Sequence, residues 1–310
     1  MDGPTIVILN PTAGGGAAAR RWPQLRQTLV DVVGDFSLAQ TKHPGHATAL
    51  ARAALSGSYR RIICIGGDGT LNEVVNGFFE GGTPVCEDAV LAPISCGTGG
   101  DFRRSLPDAS VGARAGHLAC KRTMRVDVGR LRYRAHDGRR TTRHFINIAS
   151  FGMGGVVDQA VHTLKLKSWL SGKAAYLYAI LKTLARYRNR PVELHADGTF
   201  RGYYTIRNVA VANGQFFGGG LAIAPDADLR DGQFDVVILG ALSRTDFVRY
   251  APCFYRGTHA ALDGVEIFRA QSITARPLGA APVLLDVDGE PLGRLPATFD
   301  LLPNALTIQY

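Results

Sequence analysis

Three glycine-bearing stretches hold the residues whose types and spacing could do chemistry. They are Asn10-Pro11-Thr12-Ala13-Gly14-Gly15-Gly16, Gly66-Gly67-Asp68-Gly69-Thr70 and Gly97-Thr98-Gly99-Gly100. Each follows an apolar run: TIVILN, RIICI and AVLAPIS. Glycines at a strand-to-helix turn let backbone amides approach an anion closely, and a helix N-terminus behind them adds a favourable partial charge. Three such turns on one sheet edge read as a phosphate cradle. The chain has no G-x-x-x-x-G-K-[ST] and no well-formed G-x-G-x-x-G after its first strand, which argues against a P-loop and against a Rossmann dinucleotide site. Asp68 is the odd member, because a carboxylate aimed at phosphates repels them. It makes sense with a divalent cation in between, or as an acceptor for a sugar or substrate hydroxyl. Asp68 or Thr70 could instead cap the helix that follows, but capping leaves the three glycine turns unexplained.

Stepping from these turns to the elements that must carry them, the chain up to about residue 125 alternates strand and helix patterns. TIVILN, FSLAQT, RIICI and AVLAPIS read as strands; Ala17 to Val33, His46 to Leu55 and Leu71 to Glu80 read as helices. Continuous apolar strands between helices predict a parallel sheet covered on both faces, with ligands at the C-terminal strand ends. Beyond Arg125, alternating patterns such as RVDVGRLRYRA, RHFINIASF, VELHADGTF, YYTIRNVAVAN and QFDVVILG predict antiparallel strands, with further strands at ATFDLL and ALTIQY. Asp197-Gly198 and Asp288-Gly289 have hairpin-turn chemistry. The expected fold is therefore α/β: an N-terminal Rossmann-like parallel-sheet domain, residues 1–124, then an antiparallel β-sandwich domain, residues 125–310. A helical insertion spans roughly Gly155 to Tyr187, and the C-terminal segment is free to return to the first domain. The cleft between the domains is the expected active site.

The totals agree with this plan. A chain of 310 residues suits two domains, and 46% hydrophobic with 20% charged residues is a globular composition. The net charge of +9 points to a polyanionic partner or simply to an arginine-rich composition. Nothing resembles an RNA-recognition module, so no nucleic-acid partner is expected. Cys64, Cys86, Cys96, Cys120 and Cys253 are odd in number and lack a C-x-x-C, which argues against a disulfide framework or zinc site and for a reducing cytoplasm. Cys64 and Cys96, at strand ends, read as small buried thiols. His43 and His46 have no evident partner ligands. Tyr203-Tyr204 and Phe216-Phe217 read as core. MDGPTIVILN lacks the features of a signal peptide, and no apolar run is long enough to span a membrane.

In this order, Asn10 to Gly14, Gly66 to Glu73 and Gly97 to Phe102 resemble the diacylglycerol kinase catalytic-domain family, which includes bacterial lipid kinases, sphingosine kinases and ceramide kinases. Ala224-Pro225-Asp226-Ala227, Asp231-Gly232 and Asp288-Gly289-Glu290 extend the resemblance along nearly the whole chain. It implies ATP-dependent phosphoryl transfer to a lipid hydroxyl, with ATP and Mg2+ as cofactors. Residue by residue, it places Asn10, Pro11, Thr12, Ala13, Gly14, Thr41, Gly66, Gly67, Asp68, Gly69, Thr70, Leu71, Asn72 and Thr98 around the nucleotide. Glu290 matches the family's proton acceptor. Asp231 matches a structural magnesium ligand, with Asp228 and Gln233 contributing backbone carbonyls. The implied partners are a membrane lipid substrate and a peripheral membrane surface, on the inner face of the membrane; a homodimer is compatible with the sequence. Two departures stand out. Gly100 occupies a position where the family usually has Asn, and Gly15-Gly16-Ala17 replaces a loop in which many members place Lys or Arg. Arg20 and Arg21 are placed to supply that charge. NAD kinases share a GGDGT turn and a two-domain plan, but the GTGGDF loop and the spacing to DGE fit them less well. A non-catalytic lipid or nucleotide sensor is the reading from another class.

Phosphoryl transfer needs alignment and charge neutralisation more than covalent help. Asp68 could hold magnesium directly or through water, which makes it the second candidate catalytic residue beside Glu290. A glutamate of ordinary pKa, near ~4.3, is ionised and ready to accept a proton late in a loose transition state. By position alone, Glu290 is an exposed turn carboxylate. The stretch Lys165 to Arg190 mixes Trp169, Leu170, Tyr176, Leu177, Tyr178 and Ile180 with Lys and Arg and has no acid. It reads as an interfacial helix or as a core helix with a solvated basic flank. Arg103 and Arg104 join that surface or bind phosphate. The Asp68 turn and the Glu290 turn are expected to face one gap. Diacylglycerol, phosphatidylglycerol, a sphingoid base and an undecaprenyl-type alcohol all remain open as the acceptor.

Overall fold

The computed structural model describes residues 3–96, 100–107, 118–119, 122–163 and 172–310, apart from the side chains of 162–163 and 172–177. The chain forms two compact units, residues 1–128 with 302–310, and residues 129–301.

In the first unit the order is β1 (Thr5–Leu9), α1 (Ala13–Val33), β2 (Ser37–Gln40), α2 (His46–Ser56), β3 (Arg61–Gly66), α3 (Asp68–Gly77), β4 (Phe79–Glu80), β5 (Thr83–Pro84), β6 (Val90–Ser95) and α4 (Asp101–Arg104). The strands lie as β2-β1-β3-β6, every pair parallel. Val7, Leu9, Ile63, Ile65, Ala92 and Ile94 pack on Leu25 and Leu29 of α1. The alternate residues Ile8, Ile62 and Cys64 are buried as well, which is why these strands read as unbroken apolar runs. α2 docks closely on α3: a Cβ at Gly77 would stand 2.5 Å from Ala51 Cβ. Glu73 of α3 fixes the start of α2 by accepting from Gly45 N at 2.8 Å and Ala47 N at 3.1 Å.

The chain enters the second unit along β7 (Thr123–Ala135). There follow β8 (Arg140–Phe145), β9 (Ile148–Gly152), α5 (Met153–Thr163), α6 (Gly172–Arg186), β10 (Arg190–Ala196), β11 (Thr199–Ile206), β12 (Asn208–Ala212), β13 (Phe234–Leu239), α7 (Arg244–Arg256), β14 (Val265–Ala270), β15 (Ser272–Pro277), β16 (Leu284–Val287) and β17 (Glu290–Gln309). The strands run β14-β13-β12-β9-β16-β17-β15-β10-β11, every pair antiparallel, and β7 pairs with β8 as a hairpin. Alternation sorts the side chains. Ala149, Phe151, Val209, Val211, Phe234, Val236, Leu285 and Val287 enter one core with Phe145 and Phe299. Ile148, Ala210, Ala212, Val237 and Leu239 face the opposite way, towards Phe254 of α7. Asp197-Gly198 and Asp288-Gly289 are the expected turns, with positive φ at all four residues.

Three expectations need correction. ATFDLL and ALTIQY are one continuous strand, β17, whose last residues Thr307 and Ile308 pair in parallel with Val90 and Leu91 of β6. α7 was not anticipated, because its exposed face interrupts the apolar pattern. Tyr203 is 69% exposed rather than core, while Tyr204 packs on the central cluster.

Candidate active site

The glycine turns of the first unit follow β1, β3 and β6, and side chains tie them together. Asn10 Nδ2 donates to Thr70 Oγ1 at 2.8 Å. Asn10 Oδ1 accepts from Thr12 N at 3.1 Å and from Thr12 Oγ1 at 2.9 Å, an Asx turn around Pro11. Gly14, Gly15 and Gly16 have φ of 61°, 65° and 84°. Three consecutive left-handed residues call for glycine, and the regular part of α1 starts only after them. A Cβ on Gly14 would also stand 2.2 Å from the Cys96 carbonyl oxygen. Arg20 Nη1 donates to Gly15 O at 3.2 Å, so its charge lies over this loop. Arg21 Nη1 reaches Cys96 Sγ at 3.5 Å. Thr41 continues the pairing beyond β2, donating its amide to Leu9 O at 2.9 Å.

Asp68 does not cap its own helix. The N-cap of α3 is Gly67, without a side-chain cap. Asp68 Oδ2 instead accepts from Gly100 N at 2.9 Å and Asp101 N at 3.3 Å, bracing the turn after β6. Burial raises the Asp68 carboxyl above its ordinary range, while the amides of Asp101, Gly100 and Phe102 and the charge of Arg104 pull it back. Gly66, Gly67, Asp68, Ser95, Phe102 and Arg103 line a narrow cavity beneath the turn. Thr70, Leu71 and Asn72 are buried behind it. Gly97 to Gly99, and with them the expected Thr98, lie outside the described residues.

In the second unit the Asp288-Gly289-Glu290 turn is fixed from two sides. The Asp288 carboxylate accepts from Ile146 N at 3.2 Å, Asn147 N at 3.3 Å and Ile148 N at 3.0 Å. Asp286 Oδ1 accepts from Gly289 N at 2.9 Å. Glu290 opens β17 half-buried rather than fully exposed.

Below this turn lies a carboxylate pair. Asp286 and Ser150 are direct cross-strand partners, and since Leu285 and Val287 enter the core, alternation turns both polar residues to the other face. Ser150 Oγ donates to Asp286 Oδ2 at 3.3 Å. α5 packs straight onto this backbone: a Cβ at Gly155 would stand 2.6 Å from Leu284 C, and one at Gly154 2.7 Å from Ser150 Oγ. The close approach brings Asp158, one turn further, into hydrogen-bond contact with Asp286. Burial pushes the Asp158 carboxyl up to about 6, the hydrogen bond to Asp286 lowers it, and the charge of Glu290 adds to the rise. Burial, then the charge and hydrogen bond of Asp158, raise Asp286 well above the usual range. Two buried carboxyls in contact hold a proton between them, because both cannot ionise cheaply.

Residues 4–131 match the diacylglycerol kinase catalytic domain, and residues 147–310 match the YegS C-terminal NAD kinase beta sandwich-like domain. The diacylglycerol kinase of Bacillus subtilis (strain 168) is 30% identical over 298 residues, covering 94% of this chain and 91% of that protein. The chain belongs to the diacylglycerol kinase catalytic-domain family. It is accordingly a lipid kinase. The diacylglycerol kinase of Mycobacterium tuberculosis (strain ATCC 25618 / H37Rv) is 29% identical over 312 residues, covering 99% of this chain and 94% of that protein. Among solved structures, a diacylglycerol kinase from Bacillus anthracis str. Sterne shares the fold with a TM-score of 0.69 at 22% identity, covering 99% of this chain and 96% of that one. Yeast NADH kinase complexed with NADH shares it more distantly, with a TM-score of 0.56 at 12% identity and coverage of 99% and 83%.

Within the diacylglycerol kinase family, the Gly100 departure has a structural reading. Gly100 has a φ of 66°, a conformation asparagine tolerates better than most residues. The contact it makes in this chain is through its amide, which glycine retains.

The expected magnesium loop is exposed at Asp228 and Asp231. Asp228 Oδ1 accepts from Arg230 N at 3.0 Å, and Asp231 Oδ1 accepts from Gln233 N at 3.0 Å. Arg269 Nη1 stands 3.7 Å from Asp231 Oδ2, and Arg269 Nε 3.5 Å from Asp235 Oδ1. The donors are the hard oxygens that suit magnesium, and Asp235 Oδ2 is buried with no hydrogen-bond partner. Among the described residues, however, no group of three or more His, Cys, Asp or Glu could hold a metal ion, and the Asp231 carboxylate already faces the Arg269 guanidinium.

Of the basic stretch from Lys165 to Arg190, Trp169 and Leu170 lie outside the described residues, as do the side chains of Tyr176 and Leu177. Ala179, Leu184 and Tyr187 pack on Met153 and Val157 of α5, whereas Tyr178 and Leu181 are exposed. No described helix is long and apolar enough to cross a membrane. Sequence reasoning missed Asp158, Asp286 and Ser150. The available signals were Gly154-Gly155 ahead of Asp158, which mark a close helix–sheet contact, and the alternation of Asp286 with Asp288.

Proposed function

We propose that this lipid kinase transfers the γ-phosphoryl group of ATP to a hydroxyl of diacylglycerol or a related membrane lipid. The observation that carries the reading is the cross-bracing of three glycine turns at the C-terminal ends of parallel strands, through Asn10–Thr70 and Asp68–Gly100. Such an edge presents backbone amides to a polyphosphate. Asn10 to Gly14, Thr41, Gly66 to Asn72 and Thr98 surround the nucleotide. The amides of the turns bind the phosphates, and the buried Thr70, Leu71 and Asn72 hold those turns in shape. Arg20 adds positive charge over the first loop.

Glu290 accepts the proton of the lipid hydroxyl. Asp288 and Asp286 fix the backbone of the turn that presents it. Magnesium bound with the nucleotide would neutralise the triphosphate, and Asp68 is the carboxylate on that edge that would hold it. The substrate is a membrane lipid, so the protein works at the inner face of the membrane as a peripheral protein.

A screen with radiolabelled ATP against a panel of lipid acceptors tests the reading. Label in diacylglycerol, phosphatidylglycerol, a sphingoid base or a polyprenyl alcohol supports it and names the acceptor. Label in NAD in preference to any lipid assigns NAD kinase activity instead. Nucleotide binding with no turnover on any acceptor assigns a sensor.

A further inference from the structure

α5 carries a buried carboxyl group to the underside of the Glu290 turn. Its first turn is tied to the β11–β12 segment: Met153 N donates to Arg207 O at 2.9 Å, and Gly154 N to Asn208 Oδ1 at 2.9 Å. Gly154 and Gly155 then let the helix lie on β9 and β16 with no side chain in between; a Cβ on Gly155 would stand 2.7 Å from Leu284 O. Asp158 follows one turn later, 6% exposed, and meets Asp286, 5% exposed. α6 meets this part of α5 with apolar groups, Ala179 and Leu184 against Val157.

Asp286 uses both of its oxygens. Oδ1 accepts from Gly289 N at 2.9 Å, and Oδ2 accepts from Ser150 Oγ at 3.3 Å, a long contact for a hydroxyl donor. Asp158 supplies the stronger donor, because a carboxylic acid facing a carboxylate makes a charge-assisted bond. Burial keeps one proton in the pair and so keeps that bond. Without it, Asp286 has only the long Ser150 contact on that side and is free to turn. The Gly289 amide, in a turn with φ of 50° at Asp288 and 84° at Gly289, then loses the acceptor that holds it. A leucine at position 158 would fill similar space without burying a second carboxyl group. A costly arrangement directly behind the proposed proton acceptor points to a use.

We propose that Asp158 is a positioning residue for phosphoryl transfer: α5 presents it to Asp286, and Asp286 holds the Gly289 amide of the turn that carries Glu290. Its action runs through Asp286. The proposal deepens the lipid-kinase reading and rests on Glu290 as the proton acceptor of that reading. Charge matters here as well as shape. With one proton the pair carries one negative charge. When that proton leaves, two like charges stand in contact, with Glu290 as a third, and repulsion drives α5 and the turn apart. Of the groups around the pair, Glu290 of β17 is charged, whereas Ser150 of β9, Asn208 of β12 and the Gly289 amide are neutral.

The test is steady-state lipid phosphorylation by the full chain, with ATP affinity titrated alongside. Asp158→Ala is expected to lower kcat by at least ~10-fold and up to ~100-fold, as misplacing a reacting group by roughly 1 Å does. ATP affinity stays unchanged, because the residues proposed around the nucleotide lie in the first unit. Asp158→Asn keeps a donor for Asp286 and restores most of kcat. Asp286→Ala lowers kcat too, and adding Asp158→Ala to it costs nothing further, since the partner is already gone. The pH profile is a second readout that needs no alanine variant. Wild-type kcat falls on the alkaline side as the shared proton leaves; Asp158→Asn has no such proton and does not follow. Wild-type kcat in Asp158→Ala, full additivity with Asp286→Ala, or parallel alkaline limbs in wild type and Asp158→Asn overturns the proposal. So does loss of ATP binding in step with kcat, which marks a general folding defect. Wild type that phosphorylates no lipid defeats the kinase reading and the proposal together, whereas an active wild type matched by Asp158→Ala defeats the proposal alone.

Discussion

The amide of Gly100 donates to Asp68 Oδ2 at 2.9 Å, and that bond joins the turn after β3 to the turn after β6. Asp101 N adds a second at 3.3 Å. Hydrogen bonds to a charged acceptor contribute about 1.5–3 kcal/mol each, and a buried amide left without one costs a similar amount. Asp68→Ala is therefore expected to weaken ATP binding by at least ~10-fold, with a visible loss in Tm. Asp68→Asn keeps an acceptor oxygen and falls between that variant and wild type. Isothermal titration with ATP and a thermal melt measure both effects. Wild-type ATP affinity in Asp68→Ala would remove the bracing role.

Gly14 and Gly15 separate backbone conformation from space. Both have positive φ, so alanine at either position carries roughly 1–2 kcal/mol of strain. Only at Gly14 does the new Cβ meet an obstacle, the Cys96 carbonyl oxygen at 2.2 Å; at Gly15 nothing lies within 4 Å. Gly15→Ala should lower Tm modestly and leave ATP binding nearly intact. Gly14→Ala should displace the loop and lose most nucleotide affinity. Equal behaviour of the two variants would contradict the packing of the first loop on Cys96.

The first unit was the more legible in the sequence because its signals are local. β1, β3 and β6 are apolar runs followed by glycine-bearing turns, and that pattern alone gives the parallel sheet and the edge at which those turns gather. The role of Asp68 was not legible, since its partner lies 32 residues away and the choice between capping its own helix and bracing another turn depends on tertiary contact. Asp158 was hidden for the same reason. Nothing local to α5 shows that Gly155 sits on the Leu284 backbone, and only that contact makes the aspartate a partner of Asp286. α7 escaped because Arg244, Val248, Arg249 and Tyr255 mix charge and apolarity on one face, which blurs a periodicity built on burial.

Glu290 is the proposed proton acceptor. Glu290→Gln preserves size and removes the base, so it is expected to lower kcat by at least ~100-fold while ATP affinity stays unchanged. Steady-state lipid phosphorylation and nucleotide titration report the two quantities separately. Near-wild-type turnover would take Glu290 out of the chemistry, and a parallel loss of ATP binding would mark it as structural instead.

The Asp158–Asp286 pair makes stability depend on pH in a direction opposite to that of a salt-bridged aspartate. In an unfolded chain both carboxyls lose their protons near ~3.9. In the folded protein burial holds the Asp158 proton to about 6 and raises the Asp286 carboxyl well above its ordinary range. Between those limits the folded state binds more protons than the unfolded state, so stability falls as pH rises through the window. Below it both states are protonated and the pair costs nothing by this route. Glu290 is the further charge facing Asp158, and Ser150 and the Gly289 amide complete the surroundings of Asp286. Asp286→Asn keeps an acceptor for Gly289 N and offers Asp158 an amide donor, so no shared proton has to be retained. The variant is expected to match or trail wild type near pH ~4 and to gain on it steadily towards pH ~7. Calorimetric melts of the two proteins across that range measure the difference, and parallel Tm curves would mean that the two aspartates do not share a proton.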